Sequence, residues 1–490
     1  MQLPSSCEGC PFYKYKDHPE NGFVPDVVVP GSQVYILAQN PGKDEIQGHK
    51  LIKRYYVGRG AHFDEFEQVL PQPLIGATGQ EFNTRFLPLS GLQRSEVSLG
   101  NAIRCRPGAA MHHAGDYNLD RADSLPNLTA TMKLDTSKAD IVKALRHCRE
   151  THMQIAPSVR VVMTMGTYAM FIMTGLARDE DEYHHRQGTL ESWRGYGVAL
   201  PNFDRLHTVD TSRYHRLGTE DTQSVVFITL HIAALYYGNN RRFVHAVLQD
   251  FHKLGRLLRG EWPVENMPAW SSIPPLQWPG YAAFDTEYIP QENNKLKRWS
   301  LCSSTKELYC IEAANSTHIP IKEHSTVLIQ NALADIHHLK TLVDFTKIKV
   351  EDLMLAHSVL WPGEPHSLNY INSIYGEMNR YKHLSEKDEQ FYSAADSWEP
   401  MREWMTYFIP EFKRDRQSWR VYKQYRLPLI DIIDKAQQTG VKLDSARLRD
   451  LQLILQEHLL MYQKSAQELT GDNTFNLGGS KVLKAALYDN

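Results

Sequence analysis

Three short stretches hold side chains at spacings suited to binding hard metal ions: Tyr281-Ala-Ala-Phe-Asp-Thr-Glu-Tyr288, Asn331-Ala-Leu-Ala-Asp335 and Tyr392-Ser-Ala-Ala-Asp396. On a strand, residues i and i+2 project to one face, which predicts that Asp285 and Glu287 point at the same spot. On a helix, residues four apart are neighbours, which predicts Tyr392 over Asp396 and Asn331 over Asp335. Carboxylate oxygens suit Mg²⁺ and Mn²⁺. Two such ions about 3.5–4 Å apart can activate a water and stabilise the leaving oxygen of an in-line phosphodiester displacement. Each piece alone is ordinary, because a single Asp-x-Glu is usually a solvated strand edge and a single Tyr-x-x-x-Asp a helix surface. The order of the pieces, with the apolar strand Thr326-Val-Leu-Ile329 leading into Asn331, carries the information.

The cysteines form a second constellation. Cys7-Glu-Gly-Cys10 sets two thiols at a spacing that lets both bind one metal centre, and Cys105 and Cys148 lie far downstream, with Cys302 and Cys310 further on. Disulfides are the simplest alternative, but Met1-Gln-Leu-Pro-Ser-Ser has no basic region followed by an apolar one, so no secretory signal is visible. Zinc and an iron-sulfur cluster both accept four thiolates, and the cysteines themselves do not choose between them.

These groups must be positioned by more than one folding unit. At about 100–200 residues per domain, the length predicts three units. A formal net charge of -3 gives no global basic signature, so nucleic-acid contacts must rest on local groups such as Arg241-Arg242 or Lys413-Arg-Asp-Arg416, runs that are more often plain solvated surface. The uncharged stretch Val161 to Ala177 is short for a membrane span and is interrupted by Gly166, so it predicts a buried strand, a glycine turn and a core helix. Residues 261–280 are rich in proline and tryptophan without helical or strand period, which predicts a linker docked by its tryptophans. Beyond about residue 415 the pattern turns helical, with a long amphipathic helix from Ser445 to Thr470.

The acidic motifs and Tyr392 resemble the proofreading 3'-5' exonuclease family over about residues 279–410. That resemblance implies a ribonuclease H-like mixed sheet in which Asp285, Glu287, Asp335 and Asp396 hold two Mg²⁺ or Mn²⁺ ions and Tyr392 positions the attacking water. The segment Glu351-Asp-Leu-Met-Leu-Ala-His-Ser-Val-Leu360, followed by His366-Ser-Leu, is similar to the family's apolar helix between its second and third motifs.

The cysteines sit in an ordered set of further motifs: Val34-Tyr-Ile-Leu-Ala-Gln-Asn-Pro-Gly42, Pro73-Leu-Ile-Gly-Ala-Thr-Gly79, Gly100-Asn-Ala-Ile-Arg-Cys-Arg-Pro107, Val161-Val-Met-Thr-Met-Gly166 and Thr229-Leu-His-Ile-Ala-Ala-Leu235. The set resembles the iron-sulfur uracil-DNA glycosylases over about residues 5–258. It implies a parallel sheet flanked by helices and a structural 4Fe-4S cluster on Cys7, Cys10, Cys105 and Cys148. By the same resemblance Asn101 reads the uracil edge and His231 polarises a base carbonyl. The chain departs from the family at other pocket positions. Gln39 stands for an acidic residue, Leu74 for the stacking phenylalanine and Ile232 for a proline, while Asn40 resembles the related mismatch-specific glycosylases. Extra residues between Gly42 and Pro73, and between Pro107 and Cys148, alter the rim of the pocket. Losing a base-stacking ring costs about 1–3 kcal/mol. Losing a charge near a developing cation costs rate. The expectation is a module that binds DNA and excises uracil slowly or not at all, with active uracil repair as the alternative. Each retained residue also has a plainer role open to it: Asn101 as a helix cap, His231 as a satisfied turn histidine.

The C-terminal stretch, with Phe475-Asn-Leu-Gly-Gly-Ser480 and Val482-Leu-Lys-Ala-Ala-Leu487, resembles the start of the polymerase domain of family A DNA polymerases, where such helices begin the thumb. The expected organisation is α/β: residues 1–258 glycosylase-like, 259–278 linker, 279–415 exonuclease, 416–490 thumb helices. Palm and fingers would then lie on another chain or downstream. Glycosylase-like modules ahead of a family A enzyme resemble certain tailed-phage polymerases, which implies single-stranded 3' ends and primer-template DNA as partners and a bacterial host cytoplasm as location. A rival reading is a non-catalytic subunit that binds DNA and a polymerase.

Overall fold

The computed structural model describes residues 3–17, 21–58, 61–106, 138–174, 190–200, 224–236, 238–263, 267–276, 280–292, 295–303, 307–314, 319, 321–339 and 343–478. It divides into two compact units, Met1–Pro428 and Leu429–Asn490. The sequence-expected boundaries near 258 and 279 therefore fall inside one unit.

The first sheet of that unit has the order β4-β1-β5-β7-β6, from β1 (Val34–Ala38), β4 (Val97–Asn101), β5 (Val161–Met165), β6 (Gly197–Leu200) and β7 (Ser224–Thr229). The first four of the order run parallel, and β6 pairs antiparallel with β7. Every residue of β1, β4 and β5 is buried, the pattern of a sheet covered on both faces. Alternation along β1 divides the core. Tyr35 and Leu37 pack with the helices Lys138–His152 and Thr167–Thr174, while Val34, Ile36 and Ala38 pack with Phe82, Phe86 and the helix Val244–Leu258. Gly166, at φ 97°, makes the turn from β5 into its helix, as expected for 161–174; residues 175–177 lie outside the described residues. The extra residues after Gly42 form an antiparallel hairpin, β2 (His49–Gly58) with β3 (Ala61–Gln68).

The second sheet has the order β10-β9-β8-β11-β12, from β8 (Tyr281–Ile289), β9 (Lys295–Ser303), β10 (Leu308–Glu312), β11 (Thr326–Ile329) and β12 (Lys349–Asp352). β10, β9 and β8 are antiparallel neighbours, and β8, β11 and β12 run parallel, which makes it a mixed sheet. The helix Glu389–Glu403 lies against it, with Ser300 Oγ donating to the Ser393 carbonyl at 2.6 Å. The apolar segment after Glu351 becomes the helix Leu353–Leu360, capped by Asp352.

Trp262 explains why the two sheets form one unit. It is 1% exposed in the core of the first sheet, and its indole N–H donates to the Gly376 carbonyl at 3.2 Å. Tyr370 and Ile374 of the helix Leu368–Tyr375 join the same core. Trp270 packs edge-on against Phe391; Trp278 lies outside the described residues. Beneath this junction the buried Lys253 donates to the Ser373 carbonyl at 2.8 Å, and the buried pair Arg194–Asp250 closes at 2.7 Å.

The second unit contains most of the helix Pro428–Thr439 and all of the helix Ser445–Thr470, the latter starting where the sequence pattern predicts. Asp444 caps its first turn through the Arg447 N–H, and after Gly471 the chain folds back so that Phe475 is buried. Val482–Leu487 lies outside the described residues. Among the described residues no helix is long and apolar enough to cross a membrane.

Candidate functional site

β8 is the middle strand of the mixed sheet and delivers Asp285 and Glu287 to one face, as their spacing predicts. The helix Glu389–Glu403 brings Asp396 against them, and ligand oxygens of Asp285, Glu287 and Asp396 all lie within 4.8 Å of one another. Tyr392 sits one turn earlier on that helix. Asp335 stands beside the trio rather than in it, its Oδ1 accepting from the Thr286 hydroxyl. Asn331 does not stack over Asp335. It precedes the helix Ala332–Leu339 and adopts φ 60°, a left-handed turn that asparagine tolerates, so the i to i+4 relation of a helix does not apply to it.

Burial and crowding set the electrostatics. Desolvation, then Asp396, pushes the Asp285 carboxyl well above its ordinary range, and its Oδ2 has no hydrogen-bond partner among the described residues. Desolvation and Asp396 raise Glu287 to about 7, and desolvation raises Asp335 to about 7. A divalent cation would relieve such a cluster, since carboxylates that burial holds protonated regain their charge beside a 2+ ion. A buried acceptor aimed into a set of hard oxygen donors therefore fits the ions that the spacing implies.

Sequence reasoning missed Lys382. Its Nζ sits 2.5 Å from both Asp396 oxygens and 3.3 Å from the Tyr392 hydroxyl. Tyr381 also donates to Asp396, at 2.7 Å. Nothing in Arg380-Tyr-Lys-His383 marks the lysine, because its partner lies fourteen residues along the chain.

The other predicted residues gather at the C-terminal edge of the parallel sheet, where open α/β sheets bind ligands. Gln39 and Asn40 follow β1, Asn101 ends β4, and His231 follows β7. Gln39 is buried and accepts from the Thr167 N–H at 3.1 Å. His231 accepts from the Ala233 N–H at 3.2 Å, as a turn histidine does, and burial lowers it to about 4. Among the described residues Asn101 caps no helix. Its Nδ2 donates to Glu45 Oε2 at 3.4 Å, and its Oδ1 has no partner among the described residues.

Glu45 was the second residue missed. It lies in the short helix Lys43–Gln47, is buried, and accepts the Leu74 N–H at 2.7 Å. Burial raises it to about 7. A carboxylate thus stands beside Asn101 although position 39 carries none. The acid in Pro41-Gly-Lys-Asp-Glu45 was the available signal. Leu74 holds φ 55° and its side chain, 2% exposed, belongs to the core.

Cys7, Cys10, Cys105 and Cys148 line one small cavity with Phe12, Phe23 and Arg104, and all four are free thiols. Burial pushes Cys7 up to about 12 and Cys10 to about 11. Among the described residues only the acidic trio has three ligand atoms within 4.8 Å of one another, so no three of these sulfurs are that close. A tetrahedral zinc with Zn–S near 2.3 Å needs sulfurs about 3.8 Å apart.

Residues 25–252 match the family model of the Uracil DNA glycosylase superfamily. No curated protein matches the chain. Solved structures similar to parts of it include Brucella melitensis NrnC with bound Mg²⁺, at 15% identity and TM-score 0.28 over 34% of this chain and 90% of that one. Escherichia coli RNase D, an exoribonuclease, is 15% identical at TM-score 0.27 over 32% of this chain and 45% of that one. The POL domain of Pol1 from M. smegmatis in complex with DNA primer-template and dNTP is 16% identical at TM-score 0.33, over 42% of this chain and 36% of that one.

Proposed function

We propose that the chain is a DNA-processing protein whose mixed-sheet region hydrolyses DNA from the 3' end, the proofreading function of a family A polymerase. The observation that carries this reading is the convergence of Asp285, Glu287 and Asp396 within 4.8 Å, on a central strand and a facing helix. Two divalent ions held there, with Asp335 as a further ligand, would supply an activated water and a stabilised leaving oxygen. The chain's own part is to fix the carboxylates and to set the Tyr392 hydroxyl one helical turn from Asp396, where it can orient a water. With Mg²⁺ or Mn²⁺, full-length protein should shorten single-stranded DNA from its 3' end. Asp285→Ala with Glu287→Ala should lower the rate by roughly a thousandfold or more, the scale at which a stabilising group is lost. Undiminished digestion by that double variant would overturn the assignment.

The superfamily match over 25–252, and the meeting of Asn101 with Glu45, favour a second function of the same chain: a base pocket that engages uracil-containing single strands. Four cysteines around one cavity support a 4Fe-4S cluster that pins residues 5–10 to the Cys105 loop and the helix Lys138–His152. The C-terminal helices are read as the start of a polymerase thumb, in a bacterial host cytoplasm.

A further inference from the structure

Lys382 does something that the carboxylate-and-tyrosine set does not require. It opens the single turn Lys382–Leu384, and its ammonium reaches both oxygens of Asp396 at 2.5 Å. It also lies 4.6 Å from the centre of the Tyr392 ring and 3.3 Å from its hydroxyl. Its charge reaches Asp285 and Glu287 as well. One ammonium thus engages both oxygens of the carboxylate that the helix contributes to the cluster.

An ammonium at that distance and a divalent ion on the same carboxylate repel each other strongly in a half-buried site. Lysine suits a group that must leave. It is a compact point charge on a flexible stem, whereas a guanidinium would lock onto the carboxylate with a rigid fork. The Lys382 side chain is 18% exposed against 5% for Asp396, so it has a way out to solvent that the carboxylate lacks.

We propose that Lys382 is an exchangeable internal cation. It holds Asp396 and Tyr392 in place while no divalent ion is bound, and it gives up Asp396 when the ions enter. This rests on the metal-site reading above. Lys382 is therefore a positioning residue, and the metal affinity of the site is set by a competition inside the chain. The occupied site frees an ammonium beside Tyr392.

The test is Mn²⁺ binding to the full chain by electron paramagnetic resonance and calorimetry, with melting in EDTA and in Mn²⁺. If the lysine-held arrangement is populated about 90% of the time, Lys382→Met should bind Mn²⁺ about tenfold more tightly. It should melt below wild type in EDTA and recover in Mn²⁺, whereas a merely structural lysine would leave both melts lowered. Lys297→Met is the control. Lys297 pairs with Glu389 at 2.6 Å and its charge reaches Glu287, but it does not hold Asp396. Equal tightening by both variants, or none by Lys382→Met, overturns the exchange. Absence of Mn²⁺ binding by wild type, indistinguishable from Asp285→Ala with Glu287→Ala, overturns the metal site itself and the exchange with it.

Discussion

Replacing Lys253 by methionine should change the pH dependence of stability in a direction set by burial. Lys253 is 3% exposed and donates to the carbonyls of Ser373 at 2.8 Å and Asn372 at 3.4 Å, where the helix Leu368–Tyr375 ends. Desolvation lowers it from 10.5 to about 7, against the opposing pull of Asp250, Glu377 and Glu399. A lysine depressed on folding binds fewer protons in the native than in the unfolded state, so its cost is full below pH 7 and is relieved as pH rises toward 10.5. The whole gap corresponds to ~5 kcal/mol, and the local slope to at most ~1.4 kcal/mol per pH unit. Buried thiols such as Cys7, pushed up to about 12, pull the other way above pH ~9, so the useful window is pH 7.5 to 8.5. Guanidinium unfolding across that window should show wild type gaining ~1 kcal/mol more per pH unit than Lys253→Met. The absolute stability of the variant is the poorer readout, since methionine removes a desolvated charge and also takes the ammonium donor away from the Ser373 carbonyl. Parallel slopes for the two proteins would refute the reasoning.

Glu45→Gln keeps an acceptor for the Leu74 N–H but removes the charge beside Asn101, so binding of uracil-containing single strands, measured by fluorescence anisotropy, should weaken roughly tenfold with little change in melting. Anaerobically prepared protein should carry about four irons per chain, and Cys105→Ser should lose them and lower the melting temperature; one zinc and no iron by elemental analysis would contradict the cluster.

Leu74 changes what a pocket repair can mean. By the glycosylase resemblance Leu74 stands where the stacking phenylalanine would be. Its side chain packs into a closed core on a left-handed backbone, where the added volume of Leu74→Phe costs about 1–3 kcal/mol by overpacking.

Short-range periodicity was sufficient for much of this protein. Asp285 and Glu287 share a face because strand side chains alternate, and Tyr392 precedes Asp396 by one turn because helices repeat every 3.6 residues. The buried strand β5, the glycine turn at Gly166 and the helix Ser445–Thr470 were legible for the same reason: each is written in consecutive residues. Asn331 failed that logic because a left-handed residue, which no spacing reveals, ends the turn before the helix begins.

What only the tertiary structure decided are relations between distant residues under burial. Lys382 meets Asp396 because a single-turn segment is folded against a helix, and Glu45 meets Leu74 and Asn101 because a short helix, a loop and the end of β4 converge at one sheet edge. Lys253 ends up under carbonyls of a helix more than a hundred residues away. Ionisable side chains are free in sequence to be surface. Packing removes water from these few, and the partner each then requires is set by the fold, not by its neighbours in the chain.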